Sequence, residues 1–324
     1  VKSYGYYKPQ TIQEALELMG TLEDAKYIAG GTDVMVLLKQ EKLAPANLVS
    51  LRNINGLYGI DIQDGVKMGA GVTHTEIANN GFIRKRYSAL ADAAGSVGSK
   101  QIRNVATVGG NICNAAPSAD TACPLLVLDA KVVITGKAGD REVPLDDFFL
   151  GPNKVALEPG DLVTRVVMPA FGDNTGSAYI KHARRQAMDL PVLGIAARVT
   201  IKVGGSEAGC RDAFGAGDDI SRIIKGLEAE QLVLDEVRIA MGVVAPRPIR
   251  AKKAEEVLRG KIISEELFEE VGEIAASESQ PRDSIRGEAW YRREMVKVLA
   301  RRALLRSIDR VVRPEQTVIP NRLW

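Results

Sequence analysis

Two stretches in the first third of the chain carry residue types suited to holding an anionic ligand. The longer runs from Arg103 to Asp120, RNVATVGGNICNAAPSAD, with Gly109-Gly110 near its middle and no bulky side chain between Asn114 and Asp120. The shorter is Ala29-Gly30-Gly31-Thr32-Asp33, which precedes an apolar run. A backbone without Cβ atoms can come close to a ligand. Successive unpaired N–H groups in such a loop form a concavity for anions. A single Gly-Gly more often marks a turn, but two such stretches suggest one phosphate-bearing ligand held from two sides.

Other chemistries find little support. The two histidines, His74 and His182, are far apart and give no metal-ligand spacing. Cys113, Cys123 and Cys210 form no CxxC and no disulfide framework; an iron–sulfur cluster held by this chain's thiolates alone needs one more cysteine. Cys113 and Cys123 read as small buried residues, and the histidines as local hydrogen-bonding groups. No Ser-His-Asp or Cys-His arrangement is legible. An early G-x-G-x-x-G after a strand is missing, which disfavours a Rossmann domain. Asp212-Ala213-Phe214-Gly215-Ala216-Gly217-Asp218 resembles the D-x-x-G-A-G-D anion hole of ribokinase-like sugar kinases. The rest of that pattern is missing, so a glycine-rich connection between strands is expected there.

The elements around the glycine pairs follow from local pattern. Lys26–Ala29 is an expected strand leading into Gly30-Gly31, and Asp33 can cap a helix over Val34–Leu38. That order places free N–H groups where a phosphate binds; Asp33 reads as a cap, a ligand residue or both. Thr11–Glu14 and Thr73–Glu76 are capping boxes. Gly59–Ile62 and Val66–Met68 form a hairpin about Asp64-Gly65. Ser88–Val97 is helical, and Lys131–Thr135 a strand. Pro169 and Gly172–Gly176 form a linker. Beyond it come strands over Ala178–Ala183, Ile195–Val203 and Val237–Val244, and helices over Ala251–Arg259 and Glu265–Ala276. This is an α+β pattern, a sheet with helices on one side. A last helix, Glu288–Ile308, groups Tyr291, Met295, Leu299 and Ile308, and its arginines are expected on a solvated or subunit-facing surface.

The 324 residues leave room for two or three domains. A net charge of +2 is too small to favour nucleic acid. No apolar run reaches the roughly 18 residues of a membrane helix. The start, VKSYGYYKPQ, holds no signal-peptide core, so the expected compartment is the cytoplasm.

The pair AGGTD and TVGGNICNAAPSAD resembles the two flavin loops of the FAD-binding medium subunit of molybdenum hydroxylases, the group of xanthine dehydrogenase, carbon monoxide dehydrogenase and 4-hydroxybenzoyl-CoA reductase. Three further stretches resemble the same family: Tyr179-Ile180-Lys181 with Arg184, Asp189 and Val192; Met241 through Ala251; and Tyr291-Arg292-Arg293 with Leu299 and Arg302-Ala303-Leu304. The resemblance implies an α+β chain. A two-subdomain FAD-binding (PCMH-type) domain would occupy 1–172, a smaller C-terminal domain of the carbon monoxide dehydrogenase flavoprotein type 176–312, and an extended tail 313–324.

It also implies roles. Ala29, Gly30, Gly31, Thr32 and Asp33 would wrap the pyrophosphate, with Thr107, Gly109, Gly110 and Asn111 approaching from the other side. Asp120 would lie near the flavin or its ribityl chain. Lys181, otherwise a solvated strand residue, would approach the isoalloxazine. No catalytic and no metal-binding residue is expected on this chain. Electrons would come from a molybdenum cofactor on a large subunit, through 2Fe–2S clusters of a small subunit, to FAD and then to NAD or ferredoxin. A dimer of heterotrimers is the implied assembly. A free-standing FAD-dependent oxidase or dehydrogenase, or a flavin-free assembly subunit, are the alternatives. The reductase branch carries an inserted cysteine-rich loop for a 4Fe–4S cluster, and Cys113 to Leu128 leaves no room for it. The apolar tail residues Val318, Ile319, Leu323 and Trp324 are expected to bury against a neighbouring subunit.

Overall fold

The computed structural model describes residues 3–215 and 219–314. The tail residues Val318, Ile319, Leu323 and Trp324, and Ala216, Gly217 and Asp218 of the kinase-like motif, lie outside the described residues. The earlier part of that motif is helical, within Glu207–Gly215, where a glycine-rich connection was expected.

The chain begins with a three-stranded parallel sheet in the order Gly5–Tyr7, Asn47–Ser50, Ala25–Ile28. Parallel neighbours need crossovers, and the helices Ile12–Thr21 and Val34–Lys39 supply them. Thr11 caps the first by accepting from the Glu14 amide at 3.1 Å. The Glu14 carboxylate reaches back to the Gln10 amide at 2.7 Å, one residue short of a full capping box. Ala15 packs with Val49, Ile54 and Leu57 in a small core.

A five-stranded antiparallel sheet follows, ordered Ile60–Asp61, Val66–Gly69, Leu162–Met168, Lys131–Gly136, Gly139–Pro144. Its first hairpin turns at Gly65, whose φ of +79° suits glycine. The helices His74–Asn79, Ser88–Ser96, Val108–Asn114 and Ala122–Val127 contribute to its core. The Thr73–Glu76 capping box is complete.

The second domain is built on the long antiparallel strands Thr175–His182, Leu193–Val203 and Leu232–Gly242, with Ile249–Arg250 and Lys261–Ile262 pairing to the last of them. Alternation along Leu193–Val203 sends Ile195, Ala197, Val199 and Ile201 into the core shared with the domain's helices. Ala196 and Ala240 point the other way, into the core of the first domain. Helices thus cover one face, and the first domain covers the other.

The last helix, Ala289–Val312, departs from expectation. Arg292 is buried, donating to the carbonyls of Val192 at 3.0 Å and Arg282, and to Ser284 Oγ at 2.6 Å. Arg310 is also buried, bound to Asp92 and to the Ser177 carbonyl. A guanidinium carries five donors in a rigid plane, so Arg292 can satisfy two carbonyls and a hydroxyl at once. Among the described residues no helix is long and apolar enough to cross a membrane.

Candidate functional site

The strand Ala25–Ile28 delivers the chain through Ala29 to Gly30-Gly31 at the carboxyl edge of the parallel sheet. Gly31 has φ +75°, a conformation that other residues adopt only at a cost. From Gly30 to Val34 no amide has a protein acceptor among the described residues. This is the anion-binding arrangement the residue types predict. Asp33 occupies the cap position of the following helix but makes no capping bond. Its backbone is helical (φ −95°, ψ −47°), whereas a capping side chain works from an extended residue. Its carboxylate therefore leaves those amides free.

The second stretch is not an open loop. Residues Val108–Asn114 are a helix, and Gly109-Gly110 lie in its first turn. Thr107 caps it, Oγ1 accepting from the Gly110 amide at 3.1 Å. The amides of Val108, Gly109 and Asn111 bond to Val72, Ala70 and Thr107 carbonyls at 3.0, 2.9 and 3.0 Å. The run of unpaired amides expected here is therefore absent. A Cβ on Gly109 would stand 2.6 Å from the Ala70 Cβ, so this glycine serves packing. Gly110 is exposed, and a Cβ there would meet only Thr107 Oγ1, at 2.9 Å. It is the open face of the pair.

The two stretches do come together. A Cβ on Gly30 would collide with the Val105 carbonyl oxygen and sit 2.7 Å from its carbon. Backbone lies against backbone, and the free amides of one stretch adjoin the helix entry of the other.

Asp120 is 7% exposed at the border between the domains. It accepts from Tyr179 Oη at 2.8 Å and from Lys181 Nζ at 2.8 Å. Lys181 also donates to the Ser96 carbonyl at 3.1 Å, so it is no solvated strand residue. Burial pushes the Asp120 carboxyl up, against the opposing pull of the Lys181 ammonium and the hydrogen bonds from Lys181 and Tyr179. Burial and the adjacent Asp120 charge hold the Tyr179 phenol far above its ordinary value. Thr121 donates to Asn111 Oδ1 at 2.6 Å, tying the glycine helix to the Asp120 turn.

Tyr179's place in this cluster was not anticipated, although alternation along a strand puts Tyr179 and Lys181 on one face. His182 meets Tyr291 Oη at 2.9 Å, as a local hydrogen-bonding residue should. His74 does not: it is fully buried, and neither ring nitrogen has a partner. Cys123 is buried, but Cys113 only partly.

Residues 2–171 match the family model for the FAD binding domain in molybdopterin dehydrogenase, and 217–307 that for the CO dehydrogenase flavoprotein C-terminal domain. The chain belongs to the FAD-binding medium-subunit family of the molybdenum hydroxylases. It is similar to a xanthine dehydrogenase FAD-binding subunit of Escherichia coli O157:H7, 31% identical over 94% of this chain and 95% of that one. It is 28% identical to the carbon monoxide dehydrogenase medium chain of Hydrogenophaga pseudoflava, over 93% and 96%. A solved carbon monoxide dehydrogenase structure from that organism superposes with a TM-score of 0.83 at 29% identity, covering 95% of this chain and 98% of that one. The family is one of oxidoreductase subunits. The residues of this medium subunit fit FAD: a diphosphate suits the unpaired amides of Gly30–Val34, and the exposed Gly110 puts no side chain on the open face of the second stretch.

Proposed function

We propose that this chain is the flavin-carrying electron-transfer subunit of a multi-subunit molybdenum hydroxylase. It would pass electrons between 2Fe–2S clusters of a small subunit and NAD or another acceptor, with substrate oxidised at a molybdenum cofactor on a large subunit. Residues 1–172 would be the FAD-binding unit and 176–312 the C-terminal one. The observation that carries the reading is the row of unpaired amides from Gly30 to Val34, laid against Val105 at the entry to the second glycine stretch. Ala29 through Asp33 hold the diphosphate by backbone. Gly110 and Asn111 form the opposite wall, on the helix that Thr107 caps and that Gly109 lets pack against Ala70. Asp120 and Lys181 place a hydrogen-bonded charge pair at the domain border, where it tunes the ring's surroundings. FAD, when bound, supplies the redox chemistry, and the protein supplies position and electrostatics.

The test begins with the visible spectrum of the purified chain and the molecule released by heat. FAD in near-stoichiometric amount is expected. Gly110→Val should lose it while keeping the far-UV spectrum and a cooperative melt, because Gly110 faces outward. Full FAD content in that variant would remove the glycine wall from the site. Turnover of an organic donor by the isolated chain would instead favour a free-standing flavoenzyme.

A further inference from the structure

Tyr179 is the third member of the Asp120–Lys181 cluster. Each Asp120 oxygen has its own donor: Oδ1 accepts from Tyr179 Oη and Oδ2 from Lys181 Nζ, both at 2.8 Å. Tyr179 and Lys181 stand two apart on the strand Thr175–His182 and so face one side. The phenol is buried and held in place. The Tyr179 amide donates to Asp92 at 3.2 Å, and the ring lies over Gly194 of the neighbouring strand. A Cβ on Gly194 would stand 2.9 Å from Tyr179 Cε2 and collide with Oη, so glycine there leaves the hydroxyl its place.

The turn that carries Asp120 is fixed by other contacts. Just past the strand Leu232–Gly242, the Val243 amide donates to the Pro117 carbonyl at 3.2 Å, with Val243 at a φ of +68°. A β-branched residue takes that conformation only under strain from its surroundings. Thr121 Oγ1 donates to Asn111 at 2.6 Å, which joins the turn to the helix that presents Gly110. The Tyr179 hydroxyl therefore acts on a carboxylate whose backbone is already placed. What it governs is the charge.

Three titratable groups surround Asp120: Tyr179 and Lys181 on the strand, and Cys123 just after the turn. Burial keeps the phenol and the thiol protonated. For Asp120 burial favours the neutral form, while the ammonium and the two hydrogen bonds favour the carboxylate.

We infer that Tyr179 is a positioning residue for the flavin's redox chemistry: its hydroxyl holds Asp120 as the carboxylate that balances Lys181, and the pair so fixed sets the flavin's reduction potential. The inference rests on the flavin reading of the adjacent site. A balanced pair presents little net charge to the ring. Without the hydroxyl, Asp120 takes up a proton at higher pH, and the Lys181 ammonium is left unbalanced. A positive charge beside the ring favours its reduced, more negative form. Tyr179→Phe keeps the ring over Gly194 and removes only the donor.

The test is a reductive titration of the FAD-loaded full chain against a dye of known potential, from about pH 9 to about pH 5.5. Wild type and Tyr179→Phe should agree at the alkaline end. As pH falls the variant's potential should rise above that of wild type. The reduced-to-oxidised ratio at one dye potential should become about tenfold higher, roughly 30 mV for a two-electron couple. FAD content and the far-UV spectrum should be unchanged. Added to Asp120→Asn, Tyr179→Phe should change nothing further, because the group through which the hydroxyl acts no longer carries charge. Four results overturn the inference. The potentials coincide at every pH; they differ by one offset at every pH; the difference persists on top of Asp120→Asn; or Tyr179→Phe sheds FAD, which would make the hydroxyl part of the frame that holds it. A wild-type chain without FAD overturns the flavin reading itself, so the two failures are separable.

Discussion

His74 shows what a single residue can contribute when its polar atoms find nothing to bond. The imidazole is fully buried with both nitrogens unpartnered, at the start of the helix whose first amide bonds the Ala106 carbonyl. Burial, helped by the Arg103 charge, lowers its pKa to about 4 from the ordinary 6.5. The unfolded chain therefore takes up this proton at higher pH than the folded one. Above pH about 6.5 both forms are neutral, and His74 adds no pH dependence. As pH falls from about 6.5 towards about 4, stability should drop progressively, by at most about 3 kcal/mol. His74→Leu loses no hydrogen bond and should match or exceed wild type at pH 7. Urea midpoints at pH 7 and 4.5 check this: the gap between them should shrink in the variant. An unchanged gap would assign the acid sensitivity to other groups.

At the scale of elements, the site depends on two strand-or-turn-to-helix junctions that were not equally readable. The first was legible: Lys26–Ala29, two glycines and an apolar run announced a strand, a free-amide loop and a helix, found as Ala25–Ile28 and Val34–Lys39. The second read as a loop because Gly-Gly is a poor helix former. The signals that outweigh it are Thr107 as a cap and the spacing of Val108 and Ile112, both buried on one side of the helix. Long-range facts left no local trace. The collision of Gly30 with Val105, the burial of Arg292 and Arg310, and the grip of Tyr179 on Asp120 arise only when distant segments meet. Thr107→Ala tests the second junction. It removes the acceptor of the Gly110 amide, should cost about 1 kcal/mol, and should weaken FAD binding, while Thr107→Ser restores both. A melting temperature unchanged by Thr107→Ala would mean the helix does not need its cap.

For the molecule as a whole, the seam between the domains decides whether they act as one body. Arg198, on the central strand of the second domain, is buried and reaches into the first. Its Nε donates to the Val127 carbonyl at 2.7 Å and Nη2 to Asp129 at 2.7 Å, while Nη1 stays with Glu236 at 3.3 Å. The Phe171 ring lies 4.6 Å from the guanidinium carbon. A second tie runs from Arg310 to Asp92. Around these ties Ala196, Ala240 and Tyr179 enter the first domain's core. Asp120 and Lys181 meet across the same seam, so anything that loosens it should also disturb the charge pair. Arg198→Met keeps apolar bulk against Phe171 but leaves the Val127 carbonyl buried without its donor. Asp129 keeps Arg238 and Arg250 nearby, at 3.4 and 3.8 Å, so the loss should fall at the lower end for a broken buried pair, about 3 kcal/mol. Urea unfolding followed by circular dichroism should show one transition in wild type. In Arg198→Met it should come earlier and split in two as the domains uncouple. A single transition at the wild-type midpoint would mean that apolar packing alone holds the seam.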